Sequence, residues 1–399
     1  MIGSKKIRIL HITTSLGVGG AERILVDLAI HQKNQGHDVS IFSLREREFY
    51  GSELLRSEIN VENLLTDPPS SRLIYLCIMI LRMPRLLIYA LRVKPDVIHT
   101  WMYLADLLGG LVGRLLKTPV LWGIFNGSLD SRFYGTGTKI LIRACKRFSK
   151  FIPTAIISCS AYGRRTHIAA GYPEDRMLYV PTGFDEPNTP ISVAAGQPFQ
   201  SQFESKADST DGLFRIGMLA RVSTEKDHLL LLQAHSQLVL EQFNVCLHFA
   251  GGIGVEPGSV LENKVLNLGL VDSVSLDGRI SDVSSWISKL DVFVLLSKSE
   301  GFPTVIGEAM SLGKPCIVSN VGDVKILVND RSQIVPVGDL EAVVRTLKMF
   351  FQKSADDRLV CGIRNRKRIR KCFSKNRMFK RYDSIYRAIV TEIEYRVMP

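Results

Sequence analysis

Two carboxylates, Glu300 and Glu308, lie eight residues apart in Leu295-Leu-Ser-Lys-Ser-Glu-Gly-Phe-Pro-Thr-Val-Ile-Gly-Glu-Ala-Met-Ser-Leu-Gly-Lys-Pro315. The apolar run Asp291 to Leu296 before them reads as a buried parallel strand. Pro303–Thr304 suits the first turn of a helix, and Gly313 and Pro315 supply its stop. Glu300 therefore falls in a loop at the carboxyl end of a strand, and Glu308 about one turn into the following helix. Open α/β sheets bind ligands at such ends, and helix N-termini favour anions. One acid can meet the hydroxyls of a sugar while the other meets hydroxyls behind it, such as those of a ribose. Two solvated glutamates fit the same spacing, because helix first turns favour acids in any case.

Arg221 and Lys226, in Ala220-Arg-Val-Ser-Thr-Glu-Lys-Asp-His228, form a second constellation. They occupy a loop after a strand and are placed for a diphosphate, arginine offering a planar fork and lysine a movable point charge. Solvated loop cations are the plain alternative. Gly17-Val-Gly19-Gly20 lies between a first strand, Ile7 to Ile12, and a helix from about Glu22 to Gln35. Its amides could approach a phosphate closely. The spacing is not G-x-G-x-x-G, however, and no acid tips the next strand, Val39 to Leu44, so a tight turn fits as well. His99, near the end of the strand Pro95 to Trp101, is a ligand or base by type but also a common kind of structural residue. Asn126 stands at the carboxyl end of the strand Pro119 to Asn126, where chemistry tends to sit.

These loops are positioned by an alternation of strands and helices that runs twice. The first run extends from Ile7 to Pro181 and the second begins at Phe214. Between them Asp185 to Gly212 is rich in Pro, Ser, Gln, Asp and Thr without period, which reads as a linker or insertion. Two successive α/β domains follow from this, with a ligand expected in the cleft between them.

A chain of 399 residues is too long for one ordinary core, and its 46% hydrophobic and 23% charged content is that of a globular protein. The net charge of +12 points to an anionic partner: nucleic acid, a phosphorylated substrate or an anionic membrane face. Seven scattered cysteines without C-x-x-C argue against a disulfide framework or zinc site and for a reducing compartment. No signal-peptide pattern follows Lys5, Lys6 and Arg8, and the apolar stretch Leu73 to Leu91 is broken by Arg82, Pro84 and Arg85. The expected location is cytoplasmic. Arg72 to Lys94, with arginines at 72, 82, 85 and 92 among aliphatics, suits a helix lying in a membrane interface. It equally suits a packed helix with snorkelling arginines. The basic run Arg364 to Lys371 has no aromatic platform beside it, which disfavours nucleic acid.

The motifs together resemble a retaining glycosyltransferase of family 4 with the GT-B fold, two Rossmann-like domains facing each other across a cleft. The resemblance rests on Gly17-Val-Gly-Gly-Ala-Glu-Arg23, Pro95-Asp-Val-Ile-His-Thr-Trp-Met-Tyr103, Val180-Pro-Thr-Gly-Phe-Asp185 and Arg221 with Lys226. It continues through Leu276-Asp-Gly-Arg279, Glu300 to Met310, Gly322 and Phe373-Ser374, so nearly the whole chain is covered in family order.

The resemblance implies domains at residues 1–185 and 213–375, a linker at 186–212, and a C-terminal helix, 376–399, crossing back to the first domain. It implies a nucleotide-diphosphate sugar, UDP most of all, held mainly by the second domain. Arg221, Lys226 and Glu300 are then the catalytic set: the two cations take the diphosphate and Glu300 the sugar hydroxyls, with no metal and no cofactor needed. Gly301, Phe302, Pro303 and Thr304 lie by the phosphates, Glu308 on the ribose, Arg279 on the base-binding loop, and Gly19 and Gly20 on the diphosphate. His99, Trp101 and Asn126 fall on the acceptor side. Relatives often carry histidine where Leu104 or Asn126 stands here, so no catalytic base is named.

The expected function is hexosyl transfer to a glycan or lipid-linked oligosaccharide in surface polysaccharide assembly, peripheral on the inner face of the plasma membrane. No nucleic acid is expected as a partner. A nucleotide-sugar epimerase of the same fold and a non-catalytic partner subunit are the rivals.

Overall fold

The protein is described by a computed structural model covering residues 6–17, 19–45, 49–64, 72–130, 132, 134–185, 212–251 and 259–397, with side chains at 72–82 and 392–397 not included. Val18, Gly252 and all of the expected linker except Gly212 lie outside the described residues. The chain divides into two units, Met1–Gly183 with Asn376–Pro399, and Phe184–Lys375. The change of unit falls between Gly183 and Phe184, two residues before the expected boundary. Phe184 belongs to the second unit because its amide donates to Phe373 O at 2.8 Å and its carbonyl accepts from Lys375 N at 3.0 Å.

In the first unit the elements run β1 (Arg8–Thr13), α1 (Gly20–Asn34), β2 (Asp38–Ser43), α2 (Gly51–Arg56), β3 (Asn60–Asn63), α3 (Arg72–Val93), β4 (Val97–Trp101) and α4 (Tyr103–Leu116). They continue with β5 (Val120–Ile124), α5 (Thr136–Phe148), β6 (Ala155–Ser158), α6 (Ala161–Ala170) and β7 (Met177–Tyr179). All seven strands are parallel in the order β3-β2-β1-β4-β5-β6-β7. β4 and β5 are buried along their whole length, as strands covered on both faces must be.

The second unit holds β8 (Phe214–Leu219), α7 (His228–Leu240), β9 (Val245–Ala250), α8 (Val260–Asn267), β10 (Val274–Gly278), α9 (Val283–Ser288) and β11 (Val292–Leu295). After these come α10 (Thr304–Ser311), β12 (Cys316–Ser319), α11 (Val324–Val328), β13 (Ile334–Val335), α12 (Leu340–Gln352) and α13 (Ala355–Cys372). Its sheet is parallel in the order β10-β9-β8-β11-β12-β13. Both sheets reverse strand order at one point, β1/β4 and β8/β11, and ligands of doubly wound sheets bind beyond the carboxyl ends there.

The last helix, α14 (Lys375–Val397), sends Met378, Tyr382, Tyr386 and Ile389 at helical spacing into the core built by β1, α1 and β4. The opposite face of that sheet packs against α3, α4 and α5. Among the described residues no helix is long and apolar enough to cross a membrane.

Candidate active site

In the second unit the switch point brings together the loop after β8 and the loop after β11. Lys226 Nζ and Glu300 Oε1 are in direct contact across them. Ser297, fully buried at the end of β11, donates to the same Glu300 oxygen at 2.6 Å. Two further pairs surround this one: Lys298 with Asp227 at 2.9 Å, and Arg221 with Glu225 at 3.5 Å. The Lys298 amide also donates to Glu225 O at 2.7 Å, so main chain as well as charge ties the loops together. The Arg221 side chain is 64% exposed.

The Glu300 loop is shaped from beneath by Gly322. Its φ of +53° is the left-handed region, and a Cβ there would lie 2.8 Å from Gly301 O and nearer still to Glu300 O. Asp323 N donates to Gly301 O at 3.1 Å and completes the support. Pro303 caps α10 and Thr304 is its first residue, while Glu308 stands one turn further along that helix. Phe302 turns its ring inward. Its side chain is buried against Phe184 (ring centroids 6.1 Å) and Phe373 (5.5 Å), so only its main chain is left to face a ligand. Arg279 is exposed just past β10, at the same edge but two strands from the switch point.

The first unit corrects two sequence expectations. His99 and Trp101 are enclosed in the core and cannot serve as acceptor contacts where they stand. His99 Nδ1 lies 2.6 Å from the Tyr386 hydroxyl, and Trp101 Nε1 donates to His11 Nδ1 at 3.1 Å. The indole can only donate, so His11 carries its proton on Nε2 and donates to Gln32 Oε1 at 2.7 Å. Burial pushes His11 down to about 4 and His99 well below the usual imidazole range, so both are neutral. Their role is to seat α14.

Asn126 is half-buried and its side chain reaches the Tyr103 hydroxyl, which also meets His167 Nε2 at 2.9 Å. At the glycine turn, Gly19 caps α1 and Gly20 begins it. The Glu22 carboxylate folds back to where a Cβ on Gly19 would be, and Ser15 Oγ donates to it at 3.4 Å. An acid already occupies this helix N-terminus.

Four buried polar groups went unnoticed in the sequence. Burial opposes the Asp277 charge, but hydrogen bonds from His248 (3.2 Å), Ser275 (2.5 Å) and Trp286 (2.7 Å) hold its carboxyl below the usual range. Lys314 donates to Ser288 O and Leu290 O, and burial pushes it down to about 8. Asp106 is fully buried beside Thr100, and burial raises its carboxyl well above normal. His167 Nδ1 donates to Gly163 O at 2.7 Å, leaving Nε2 to accept from Tyr103. Only an acid beside hydrogen-bonding types in alternate strand positions, as in Ser275-Leu-Asp277, gave any warning.

The family profile described as "Glycosyltransferase Family 4" matches residues 18–186, and that described as "Glycosyl transferases group 1" matches residues 213–353. The chain belongs to glycosyltransferase family 4. This family 4 chain is 26% identical over 304 residues to the capsular polysaccharide biosynthesis glycosyltransferase CapM of Staphylococcus aureus, covering 75% of this chain and 79% of the relative. It is 23% identical over 258 residues to the UDP-Gal:alpha-D-GlcNAc-diphosphoundecaprenol alpha-1,3-galactosyltransferase of Escherichia coli, covering 64% and 66%. Its fold is similar to that of Anabaena Alr3699/HepE solved in complex with UDP-glucose, with a TM-score of 0.78 and 18% identity over 96% of this chain and all of that one. The two parallel-sheet units are therefore those of GT-B glycosyltransferases.

Proposed function

We propose that this glycosyltransferase moves a hexose from UDP-sugar to a glycan or lipid-linked oligosaccharide in surface-polysaccharide assembly, with retention of anomeric configuration. The observation that carries the reading is the Lys226–Glu300 contact at the β8/β11 switch point. An ammonium takes a phosphate and a carboxylate takes hydroxyls. Two such groups in contact suit a ligand whose phosphate and polyol are bonded neighbours, as in a nucleotide-diphosphate sugar. The UDP-glucose bound by the Anabaena neighbour and the UDP-Gal named for the Escherichia coli relative support UDP as the carrier. The relatives named for capsule and diphosphoundecaprenol chemistry support the acceptor class.

In this reading Arg221 swings from Glu225 onto the diphosphate and Lys226 turns from Glu300 to share it. Their positive charge stabilises the diphosphate as the glycosidic bond stretches, so the chain itself supplies the charge a metal would otherwise bring. Glu300, steadied by Ser297, orients the sugar hydroxyls; Glu308 takes the ribose, and the Gly301, Phe302 and Thr304 amides lie by the phosphates. Arg279 stands by the base. At the first unit's glycine turn, Glu22 would have to withdraw before the Gly19 and Gly20 amides could meet a phosphate.

The test is turnover of a panel of UDP-sugars with and without undecaprenyl-diphosphate-linked acceptors, on the wild type and Arg221→Ala. Acceptor-dependent UDP release, lost at least ~100-fold in the variant, is expected if it stabilises the leaving group. Conversion of donor to its epimer without acceptor contradicts the reading in favour of an epimerase. Donor binding with no turnover on any acceptor favours a non-catalytic subunit.

A further inference from the structure

Positive charge is not spread evenly over the chain. Residues 97–173 hold ten Lys or Arg against two acids, Asp106 and Asp130, which places eight of the twelve net charges in that stretch. Asp106 is buried, and two of the ten cations are already paired with acids: Arg132 with Asp130 at 2.6 Å and Arg164 with Glu174 at 3.2 Å.

The charge collects along α5 and the turn after it. Arg143, Lys146, Arg147 and Lys150 are all exposed, and among the described residues no ion pair engages them. α5 sinks only Cys145 fully, and Ile140, Phe148 and Phe151 stand 58%, 45% and 55% exposed among the cations. Ile140, Arg143 and Arg147 follow one another at helical spacing on α5, and the Arg147 guanidinium lies 5.2 Å over the ring of Phe151 in the turn after it. α4 packs beside α5 and adds exposed Leu111 and Leu115 with Arg114.

We infer that the α4–α5 face of the first unit docks on an anionic lipid surface, its aromatic and aliphatic side chains entering the headgroup boundary while the surrounding cations meet lipid phosphates. In the second unit exposed Leu240, Val260 and Val271 lie beside acids, Glu241, Glu262 and Asp272, whereas exposed Val360 and Ile363 lie on α13 among cations, which makes α13 the fitting control. In the expected helix α3, Arg85 is paired with Glu62 at 3.0 Å, and the side chains of Arg72 and Arg82 lie outside the described residues. This deepens the membrane-acceptor reading above and rests on it for its purpose, though not for its test.

The test is co-sedimentation of the full chain with vesicles of one-third phosphatidylglycerol in phosphatidylcholine, against pure phosphatidylcholine, across salt concentrations. Each Lys or Arg near such a surface is worth about fivefold in partitioning, so Arg143→Gln/Arg147→Gln is expected to lower binding about 25-fold. The α13 control Arg364→Gln/Lys367→Gln is expected to leave it within about twofold. UDP-induced thermal stabilisation is measured on each variant; an unchanged shift shows an intact fold and keeps the donor-site reading separate. The inference is overturned if the chain does not prefer anionic vesicles, or if the α13 pair rather than the α5 pair controls binding. It is equally overturned if the α5 pair abolishes self-association without any vesicle binding, which would assign the face to a second copy of the chain.

Discussion

Glu300→Gln keeps the shape of the side chain and removes the charge that holds Lys226. The pair is largely enclosed, with the lysine 22% and the glutamate 12% exposed. Unit charges about 4 Å apart attract by about 4 kcal/mol at an effective dielectric of about 20. A surface pair retains roughly 0–1 kcal/mol of this, and breaking a fully buried pair costs about 3–5. For this geometry a loss of about 2 kcal/mol follows, partly relieved because glutamine can still accept from Ser297. A domain of this size should then melt about 4–8 °C lower. Ligand binding moves the other way. With Lys226 released and a nearby negative charge gone, UDP itself should bind about tenfold tighter. Transfer from a UDP-sugar should nevertheless slow at least ~100-fold, because one of the two acceptor oxygens becomes a donor nitrogen and the other, now neutral, holds the sugar hydroxyls more weakly. Calorimetric titration with UDP, melting curves and steady-state rates read these effects. Weaker UDP binding in Glu300→Gln would refute the reasoning, since it would mean the carboxylate helps to hold the nucleotide rather than competing for its lysine.

Gly322→Ala forces a side chain into the left-handed region and against the Glu300 and Gly301 carbonyls; about 1–2 kcal/mol of backbone strain, before the clash, should lower both donor affinity and melting temperature. Gly338→Ala, equally left-handed but with open space around it, should lower the melting temperature with UDP binding unchanged. His11, His167, His228 and His235 are each held near 4 by burial, below the ordinary 6.5 of the unfolded chain. The unfolded chain therefore binds more protons between those values, and stability should fall as pH drops from about 6.5 to 4, by up to ~3 kcal/mol per imidazole in a urea titration. Asp106→Asn should leave the melting temperature at pH 8 equal or higher, because burial disfavours the charged carboxylate and an amide carbonyl can accept from Thr100 in its place. A marked drop would mean the aspartate works as an anion.

The loops at the β8/β11 switch point were legible in the sequence because local signals define them. An apolar run ends, a proline opens the next helix, and a glycine and proline close it, so Glu300 and Lys226 fall at strand ends whatever the rest of the chain does. His99 and Trp101 sit at strand positions that look the same whether they face a ligand or a core. The decision came from Tyr386, 287 residues away on α14, and no local pattern carries it. Phe302 was obscured in the same way, its aromatic neighbours Phe184 and Phe373 lying far along the chain. Nothing in the basic run Arg364 to Lys371 marks Arg368 apart from its neighbours, yet it turns inward to donate to Leu327 O at 2.6 Å and caps α11. Asp277 escaped because its three donors come from β9, β10 and α9, and only the sheet order brings them together.

The most direct test of the central claim is calorimetric titration of the wild type and Lys226→Ala with UDP, GDP, ADP and dTDP. The account predicts that UDP alone binds strongly to the wild type and that the alanine variant loses at least about tenfold, the loss expected for a lysine on the diphosphate. Equal affinity in the two proteins, or no binding of any nucleotide to a folded wild type, would contradict the assignment of the donor site to the β8/β11 switch point.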